Sequence, residues 1–201
     1  MTNSLKSHEQ KSKLLVMQQK VNLLTLKRLN VFNENGEEVN FSTFLENKTL
    51  IIIFVRHFGC IACRAHVDQI WNLKKLRSNS KNKIIFIGSG APHIIKEFKD
   101  TMNVHKAEIY TDPSLETFEA CGMSFGITKL VNFKSLSAMR KLNKEGYTQG
   151  SFKDSGSHKQ MGGVVIFKKP GQLIYHYSSE HLGDFDDSSK WPTEDELDIF
   201  F

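Results

Sequence analysis

At 201 residues and 39% hydrophobic content, the chain can bury the core of one domain, so a second domain is not required. The formal net charge of +5 comes from residues 1–30, which hold six Lys and Arg against one acidic residue, while the rest of the chain holds 21 of each sign. Because a nucleic-acid-binding domain carries its basic residues on a folded surface, this distribution argues against that class of protein.

The N-terminal segment, residues 1–28, is predicted to be a basic helical extension. Apolar residues recur at helical intervals over 14–29 among lysines and glutamines. We interpret this helix as docked on its own domain or on a partner subunit, with an anionic lipid surface as the alternative. The segment has no apolar core of a signal peptide, and no run of about 18 apolar residues predicts a transmembrane segment. We therefore expect a cytoplasmic protein.

Two short elements are predicted before the first buried strand. The segment VFNENGEEV, residues 31–39, places Asn35 and Gly36 between short apolar runs, which is the pattern of a tight β-hairpin. Ser42 precedes Thr-Phe-Leu and is a candidate N-cap for one or two helical turns. The sequence thus predicts an N-terminal hairpin followed by a short helix.

Two cysteines lie where a buried strand passes into a helix. The run TLIIIFVR, residues 49–56, is β-branched and aromatic throughout and predicts a central strand buried on both faces. The stretch 61–76 contains no Gly or Pro and repeats its apolar residues at helical intervals. Cys60 and Cys63 are therefore expected at the N-terminus of a helix that directly follows a strand.

Two further pairs of strand and helix follow along the chain. Residues 83–90 predict a buried strand and residues 92–103 a helix with proline in its first turn. A short third strand then leads to Asp112, a candidate N-cap, and to a helix closed by Gly122. Because strand and helix alternate three times, the pattern favours an α/β fold.

The remainder of the chain is predicted to contain an insertion, a hairpin and a tail. Residues 124–157 are rich in Lys, Ser and Gly and predict a polar, mobile insertion with a possible helix near 136–142. The run GGVVIFKKPGQLIYHY, residues 162–177, predicts the last hairpin. Residues 192–201 begin with the pattern of a helix.

The motif Cys60-x-x-Cys63 has the features of a redox-active dithiol. Unpaired N–H groups at the start of a helix stabilise a thiolate, and Arg56 and Arg64 are candidates to stabilise the thiolate or a substrate anion. A spacing of three lets the sulfurs reach bonding distance, so one thiol can attack and the other can resolve the intermediate as a disulfide.

The alternative interpretation of the same stretch is a metal site. His57, Cys60, Cys63 and His66 are all metal-ligand types, spaced three apart. On one helix, however, residues nine positions apart are separated by roughly 13 Å along the axis and cannot share one ion. We therefore predict no metal and no cofactor. Cys121 is interpreted as a buried, inert cysteine, with a second resolving thiol as the alternative.

Several segments together resemble a known family. LIIIFVRHFGCIACRAH, IIFIGSG, YTDPSLETFEACGM and GGVVIFKKPGQLIYHYSSEHLGD are similar to segments of the AhpC/TSA-related peroxiredoxin-like family, which includes the prostamide/prostaglandin F synthase-like group. The resemblance covers about residues 29–185. It implies an α/β thioredoxin-like fold for residues 29–201, with a central mixed β-sheet flanked by helices, an N-terminal β-hairpin and an insertion before the last hairpin.

The resemblance also implies a thiol-dependent antioxidant oxidoreductase that reduces a peroxide-type or disulfide substrate. An external thiol reductant of the thioredoxin or glutathione type would restore the dithiol, and a homodimer is the candidate assembly. In ordinary peroxiredoxins the motif is Thr/Ser-x-x-Cys after a proline, whereas here Cys60 takes the hydroxyl position and Cys63 the peroxidatic one, which leaves open which sulfur attacks. Gly162 and Gly163 are expected to contact the substrate through their backbone.

Two alternatives to this function remain at the level of sequence. The first is a protein-disulfide reductase without peroxidase activity. The second is a non-catalytic thioredoxin-fold binding module that uses the surface near the cysteines or the basic N-terminal helix. Consumption of two thiols by an oxidant separates the enzymatic readings from the binding module.

Overall fold

The structure is a computed structural model that describes residues 20–46, 48–73, 79–126 and 133–179. Its strands are, in chain order, β1 (Asn30–Phe32), β2 (Glu38–Asn40), β3 (Thr49–Phe54), β4 (Asn82–Gly88), β5 (Glu108–Thr111), β6 (Gly163–Lys168) and β7 (Gln172–Ser178). Its α-helices are α1 (Leu23–Leu26), α2 (Ile61–Asn72), α3 (Ile94–Met102), α4 (Glu116–Ala120) and α5 (Phe133–Lys144). A 3-10 helix covers Phe41–Leu45.

The strands form one mixed sheet in the order β2-β1-β5-β4-β3-β6-β7. Strands β3, β4 and β5 pair in parallel, as expected for strands joined through helices, while β6, β7 and the β1–β2 hairpin pair antiparallel. The predicted mixed sheet, the N-terminal hairpin and the last hairpin are thereby confirmed. Strand β3 lies inside the sheet, between β4 and β6, so the loop that follows it lies at the end of an interior strand.

The core lies on both faces of the sheet because the central strands are apolar on both sides. In β3, Ile51 and Ile53 face one buried cluster, whereas Leu50, Ile52 and Phe54 face the other. The first cluster packs under α2, α3 and α5, and the second packs under α1, the 3-10 helix and α4. Continuous burial of β3 explains its unbroken β-branched and aromatic sequence.

Two helix starts differ from their predicted positions. The 3-10 helix is capped by Asn40, whose side chain accepts from the Ser42 amide at 3.1 Å, so Ser42 is not the cap. At α4, Leu115 adopts a left-handed conformation and delays the helix to Glu116. Asp112 still serves the helix start, because its carboxylate accepts from the Thr117 amide at 2.7 Å.

The predicted helix over residues 14–29 is reduced, within the described residues, to the single turn of α1. Asn22 caps that turn by accepting from the Thr25 amide at 3.0 Å. Val21 and Leu26 are buried in the cluster beneath α4, so this part of the chain docks on the domain itself. Residues 1–19 and the predicted helix at 192–201 lie outside the described residues.

Within the predicted insertion, the possible helix near 136–142 is confirmed as the longer α5. The helix is followed by an irregular segment that returns to β6 across the N-terminal end of α2. None of the described helices combines the length and apolar character needed to cross a membrane.

Candidate active site around the dithiol

The loop from residue 55 to Cys60 joins the end of β3 to the start of α2. Cys60 is the N-cap residue, with extended backbone angles, and its carbonyl accepts the first helical hydrogen bond from the Arg64 amide at 2.9 Å. Cys63 lies in the first turn of the helix. The predicted placement of both cysteines at a helix N-terminus after a strand is therefore present in the structure.

The two cysteines form a hydrogen-bonded pair of free thiols. The Cys63 thiol donates to the Cys60 sulfur, and this bond, helped by the charge of Arg56 and by the amides of Cys63 and Ala62, lowers the pKa of Cys60 against the opposing effect of burial. Burial, the same hydrogen bond and the negative charge on Cys60 raise the pKa of Cys63. These interactions favour the anionic form of Cys60 and the protonated form of Cys63.

Arg56 supplies a buried positive charge beside this pair. Its charge lowers the pKa of both thiols. Its Nη2 lies 2.8 Å from His57 Nε2, and its Nη1 donates to the His158 carbonyl at 3.3 Å. Its Nε is buried and has no hydrogen-bond partner among the described residues. A role for Arg56 as the thiolate-stabilising cation stays a prediction.

Arg64, the second predicted cation, lies on α2 and is also buried. Its Nε donates to the Phe58 carbonyl at 3.2 Å, so the side chain folds back onto the loop before the helix. Burial lowers the pKa of Arg64, while the charges of Glu97 and Cys60 act in the opposite direction. The Cys60 charge therefore acts on Arg64 as well as on Arg56, and a role for Arg64 in thiolate stabilisation stays a prediction.

An irregular segment, residues 149–158 and hereafter the strap, lies across the cysteine loop. The Gln149 side chain bonds the loop on both sides of Cys60: its Oε1 accepts from the Ile61 amide at 3.3 Å and its Nε2 donates to the Gly59 carbonyl. The same Gly59 carbonyl accepts from the Gly150 amide at 2.9 Å. The strap therefore substitutes for solvent as the hydrogen-bond partner of the loop.

The far half of the strap is fixed to the neighbouring strand ends. The Ser155 carbonyl accepts from the Phe58 amide at 2.9 Å. The Ser89 hydroxyl, after β4, accepts from the Ser157 amide at 2.8 Å and donates to the Arg56 carbonyl at 2.7 Å. These hydrogen bonds connect the strap to the loop after β3 and to the residue that follows β4, at the C-terminal ends of both strands.

As a result, neither sulfur is open to solvent in this conformation. Cys60 is 3% exposed and Cys63 is 2% exposed, and both belong to the buried cluster beneath α2. A nucleophile buried to this degree is accessible only to a small reactant or after movement of its cover. This burial is the property of the site that bears most directly on its substrate.

Gly163 is the first residue of β6 and lies beside the end of β3. It pairs with Phe54 and Ser178, and a side chain there would meet the Tyr177 carbonyl and the Met123 sulfur. The carbonyl of Gly162 accepts from the Ser179 amide at 2.9 Å. Substrate contact by these two glycines stays a prediction.

Cys121 lies beyond the end of α4 in the cluster on the opposite face of the sheet. It is fully buried, and burial raises the pKa of its thiol far above the ordinary value. These features are those of the inert cysteine predicted from sequence. Within residues 20–46, 48–73, 79–126 and 133–179, no group of three or more His, Cys, Asp or Glu side chains is arranged to hold a metal ion.

Sequence reasoning missed the strap and His57. The strap was included in a polar insertion without regular pattern, and its partners are far away in sequence, so no local signal marks it. The sequence marks His57 only as a metal-ligand type, yet it is fully buried and contacts Arg56 directly. Its one sequence signal is a position between a buried strand and the first cysteine.

Comparison with known proteins shows similarity along most of the chain. The model of the family described as AhpC/TSA antioxidant enzyme matches residues 69–181, a range that begins after Cys63. Prostamide/prostaglandin F synthase of Xenopus tropicalis is 30% identical over 158 residues, which cover 75% of this chain and 76% of that protein. Peroxiredoxin-like 2C of Homo sapiens is 27% identical over 155 residues, which cover 73% and 68% of the two chains.

Solved structures share the architecture at low sequence identity. The peroxidoxin BcpB of Mycobacterium tuberculosis has a TM-score of 0.59 at 10% identity, over 87% of this chain and 94% of that one. Peroxiredoxin Q of Xanthomonas campestris has a TM-score of 0.55 at 11% identity, over 83% and 90%. At these identities the likeness concerns the fold alone, and it confirms the predicted thioredoxin-like fold.

Proposed function

The chain belongs to the AhpC/TSA antioxidant enzyme family, and from this premise we propose that it is a thiol oxidoreductase that reduces a small hydroperoxide through a cycle of the Cys60–Cys63 dithiol and disulfide. The membership supports thiol oxidoreductase chemistry. The choice of a dithiol cycle and of a peroxide-type substrate is the proposal. The observation that carries it is the hydrogen-bonded pair at the N-terminus of α2, with Arg56 beside it.

Cys60 is the attacking sulfur in this proposal. The Cys63 thiol, two backbone amides and Arg56 all stabilise the anionic form of Cys60, whereas burial, the hydrogen bond to Cys60 and the negative charge on Cys60 hold the proton on Cys63. Because the thiolate and not the thiol is the nucleophile, the sulfur with the lowered pKa reacts first. The order is that of a dithiol in which the N-cap cysteine attacks and the cysteine three positions later resolves.

Reduction of the peroxide oxidises the dithiol in two steps. The Cys60 thiolate attacks the distal oxygen of ROOH, the O–O bond breaks, and a sulfenic acid forms on Cys60 while RO⁻ takes a proton from solvent and leaves as ROH. Cys63 then attacks the Cys60 sulfur, and the hydroxyl leaves with the Cys63 proton as water. Burial, the hydrogen bond to Cys60 and the Cys60 charge all raise the Cys63 pKa. Once Cys60 is uncharged, the last of these is removed, so the Cys63 pKa falls and Cys63 becomes more nucleophilic after the first step.

An external thiol completes the cycle. One thiolate of the reductant attacks the Cys60–Cys63 disulfide, and a second thiolate resolves the mixed disulfide, so that two reductant thiols become one disulfide and the enzyme regains two thiols. Because the strap covers the pair, a glutathione-like small thiol can approach with less movement than a thioredoxin-like protein. We propose the small thiol as the donor.

Burial of the pair also bears on the competing function of protein-disulfide reduction. With Cys60 only 3% exposed, a protein disulfide reaches the sulfur only after the strap moves away, whereas a small hydroperoxide requires little space. This observation favours the peroxide-type substrate. The relatives of this chain include proteins named prostamide/prostaglandin F synthase, a name that refers to a small-molecule product.

The test of the function counts thiols. Reduced protein is mixed with a small hydroperoxide, a small disulfide and an oxidised protein substrate, and free thiols are titrated over time. We expect the hydroperoxide to consume two thiols per chain, with Cys60→Ser abolishing the reaction and Cys63→Ser stopping it after one. Cys121→Ser serves as the matched control and is expected to react like the parent, since Cys121 lies in the opposite cluster.

The alternatives give different results in the same assay. Consumption of thiols by the disulfides alone would establish the disulfide reductase instead. If no oxidant consumes thiols, or if Cys60→Ser reacts like the parent, the chain is not an oxidoreductase of this kind. The cytoplasmic location and the homodimer belong to the proposal as well, and light scattering after gel filtration tests the dimer.

A further inference from the structure

A chain of buried polar contacts leads away from the dithiol through His57. Arg56 Nη2 lies 2.8 Å from His57 Nε2, and His57 Nδ1 lies 3.4 Å from the Ser155 hydroxyl. Ser155 in turn donates to the Phe152 carbonyl at 3.1 Å. His57 is fully buried and Ser155 is 1% exposed. The imidazole therefore connects the cation beside the dithiol to the strap that covers it.

The direction of these hydrogen bonds is fixed by donor chemistry. A guanidinium has N–H donors and no acceptor, so the contact with Arg56 requires an unprotonated Nε2 on His57. The neutral imidazole then carries its single proton on Nδ1, and that N–H donates to the Ser155 hydroxyl oxygen. The Ser155 proton is already directed to the Phe152 carbonyl, so its oxygen is available as the acceptor.

The charge state of His57 is consistent with this arrangement. Burial, then the charge of Arg56 and then that of His158, lower the pKa of His57 to about 3. The ring is also packed by the side chains of Phe152 and His158, whose centroids lie 5.9 Å and 4.5 Å from its own. A neutral, enclosed imidazole is a good acceptor for a guanidinium and adds no opposing positive charge.

We propose that His57 is a positioning residue that holds the Arg56 guanidinium beside the Cys60–Cys63 pair and thereby stabilises the Cys60 thiolate. Arg56 has one other hydrogen bond, from Nη1 to the His158 carbonyl, and an Nε without a partner among the described residues. His57 is the side chain that anchors the second nitrogen of the fork. The inference rests on the proposed role of Cys60 as the attacking thiolate.

Other charged or titratable groups surround the pair and are unchanged in the test below. Arg64 of α2 interacts electrostatically with Cys60 and with Glu97 of α3. From the strap, His158 faces His57, and Lys153 lines the cleft beside Arg64. The resolving Cys63 is the remaining partner. A change of the Cys60 titration in a His57 variant therefore reports on the position of Arg56.

The test is a pH titration of the Cys60 thiolate by its ultraviolet absorbance in reduced protein, without any oxidant. His57→Leu has no acceptor for Arg56, and we expect it to raise the Cys60 pKa by about one unit, which lowers the ratio of thiolate to thiol about tenfold. His57→Gln offers an amide oxygen as acceptor, and we expect it to restore most of the parent titration. A parent-like titration in His57→Gln but not in His57→Leu would show that His57 acts by accepting a hydrogen bond and not only by occupying space.

His176→Leu is the matched control. His176 is a buried histidine that bonds the Cys121 carbonyl at 2.8 Å, and its removal is expected to leave the Cys60 titration unchanged. A parent-like titration of His57→Leu, or an equal shift in His57→Leu and His57→Gln, would overturn the proposal. The titration contains no oxidant, so it tests the role of His57 independently of the thiol-counting assay. If no oxidant consumes thiols in that assay, the proposed function is overturned, but the effect of His57 on the Cys60 pKa is not.

A second measurement needs no variant. Nitrogen NMR of the imidazole in the parent protein reports which ring nitrogen carries the proton. We expect His57 to be neutral at pH 6, with the proton on Nδ1 and a bare Nε2. A protonated ring, or a proton on Nε2, would contradict the contact with Arg56 and overturn the proposal even if the variants do not fold.

Discussion

At the scale of single residues, the acidity of Cys60 depends first on the thiol three positions away. The hydrogen bond from Cys63 is the largest cause of the lowered pKa, ahead of the charge of Arg56. Cys63 has two successive tasks in the proposed cycle: it first stabilises the nucleophile as a donor and then attacks it as a resolving thiolate. The two tasks can be separated by substitution, because only the second requires sulfur.

We predict that Cys63→Ala and Cys63→Ser differ in their effect on Cys60. Alanine removes the donor, and since a hydrogen bond to a charged group contributes roughly 1.5–3 kcal/mol, the Cys60 pKa should rise by about 1–2 units. Serine keeps an O–H donor, so its shift should be smaller. The rate of iodoacetamide alkylation as a function of pH measures both. Equal pKa values in the two variants would show that the Cys63 side chain does not stabilise the thiolate.

At the scale of elements, the strap controls access to the dithiol. Gly59 is the point of closest approach, because a Cβ at this position would overlap the Ser151 carbonyl oxygen. The contact is backbone to backbone, so neither partner can rotate away. Any side chain at residue 59 therefore has to displace either the strap or the cysteine loop.

We predict that Gly59→Ala and Gln149→Ala both open the strap. The first introduces the overlap with Ser151, and the second removes the two side-chain bonds to the cysteine loop. In each variant, the ratio of the Cys60 alkylation rate by a bulky maleimide to the rate by small iodoacetamide should rise about tenfold or more above the parent's ratio. A tenfold change corresponds to about 1.4 kcal/mol less free energy for opening the strap. Gln172→Ala, an exposed glutamine on β7, is the matched control and should keep the parent's ratio.

Elements were predictable from the sequence where local pattern and burial agree. The run of residues 49–56 and the helix after Cys60 are fixed by apolar spacing that the tertiary structure preserves. The cap at Asn40 was missed because the Asn40 side chain accepts from the amide of Ser42 itself, which places Ser42 inside the helix and not at its cap. The strap was missed because its order comes from bonds such as Gln149 to Ile61, which join residues 88 positions apart.

The candidate site was predictable in part for the same reason. Cys60 and Cys63 are adjacent on one helix start, so their spacing alone brings the sulfurs together. His57 differs, because its importance comes from the rotation of its ring toward Arg56 and from a serine 98 positions later. No periodicity in the sequence specifies these two contacts.

At the scale of the whole molecule, buried histidines link stability to pH. His66 on α2 is 4% exposed, and burial lowers its pKa to about 3. Since the unfolded chain titrates near the ordinary histidine pKa of about 6.5, it binds the proton over a pH range in which the folded chain does not. Stability from this residue is therefore complete above about pH 6.5 and is lost as the pH falls toward 3.

We predict that the free energy of unfolding decreases with acidification below pH 6.5, by about 1.4 kcal/mol per pH unit for each such histidine. His66→Leu should reduce this slope by about that amount, whatever its effect on stability at pH 7. Urea unfolding between pH 4 and 7 measures the slope. An unchanged slope in His66→Leu would contradict the pKa of the buried ring.

The membership of Cys60 and Cys63 in the main apolar cluster has a thermodynamic consequence. Reduced and oxidised forms of the chain, each folded or unfolded, make a closed cycle of four states. In that cycle, the difference in unfolding free energy between dithiol and disulfide forms equals the difference in reduction free energy between folded and unfolded chains, with 30 mV equivalent to about 1.4 kcal/mol. Two denaturation curves would therefore yield the potential of the folded pair relative to that of the unfolded chain, without any substrate or donor.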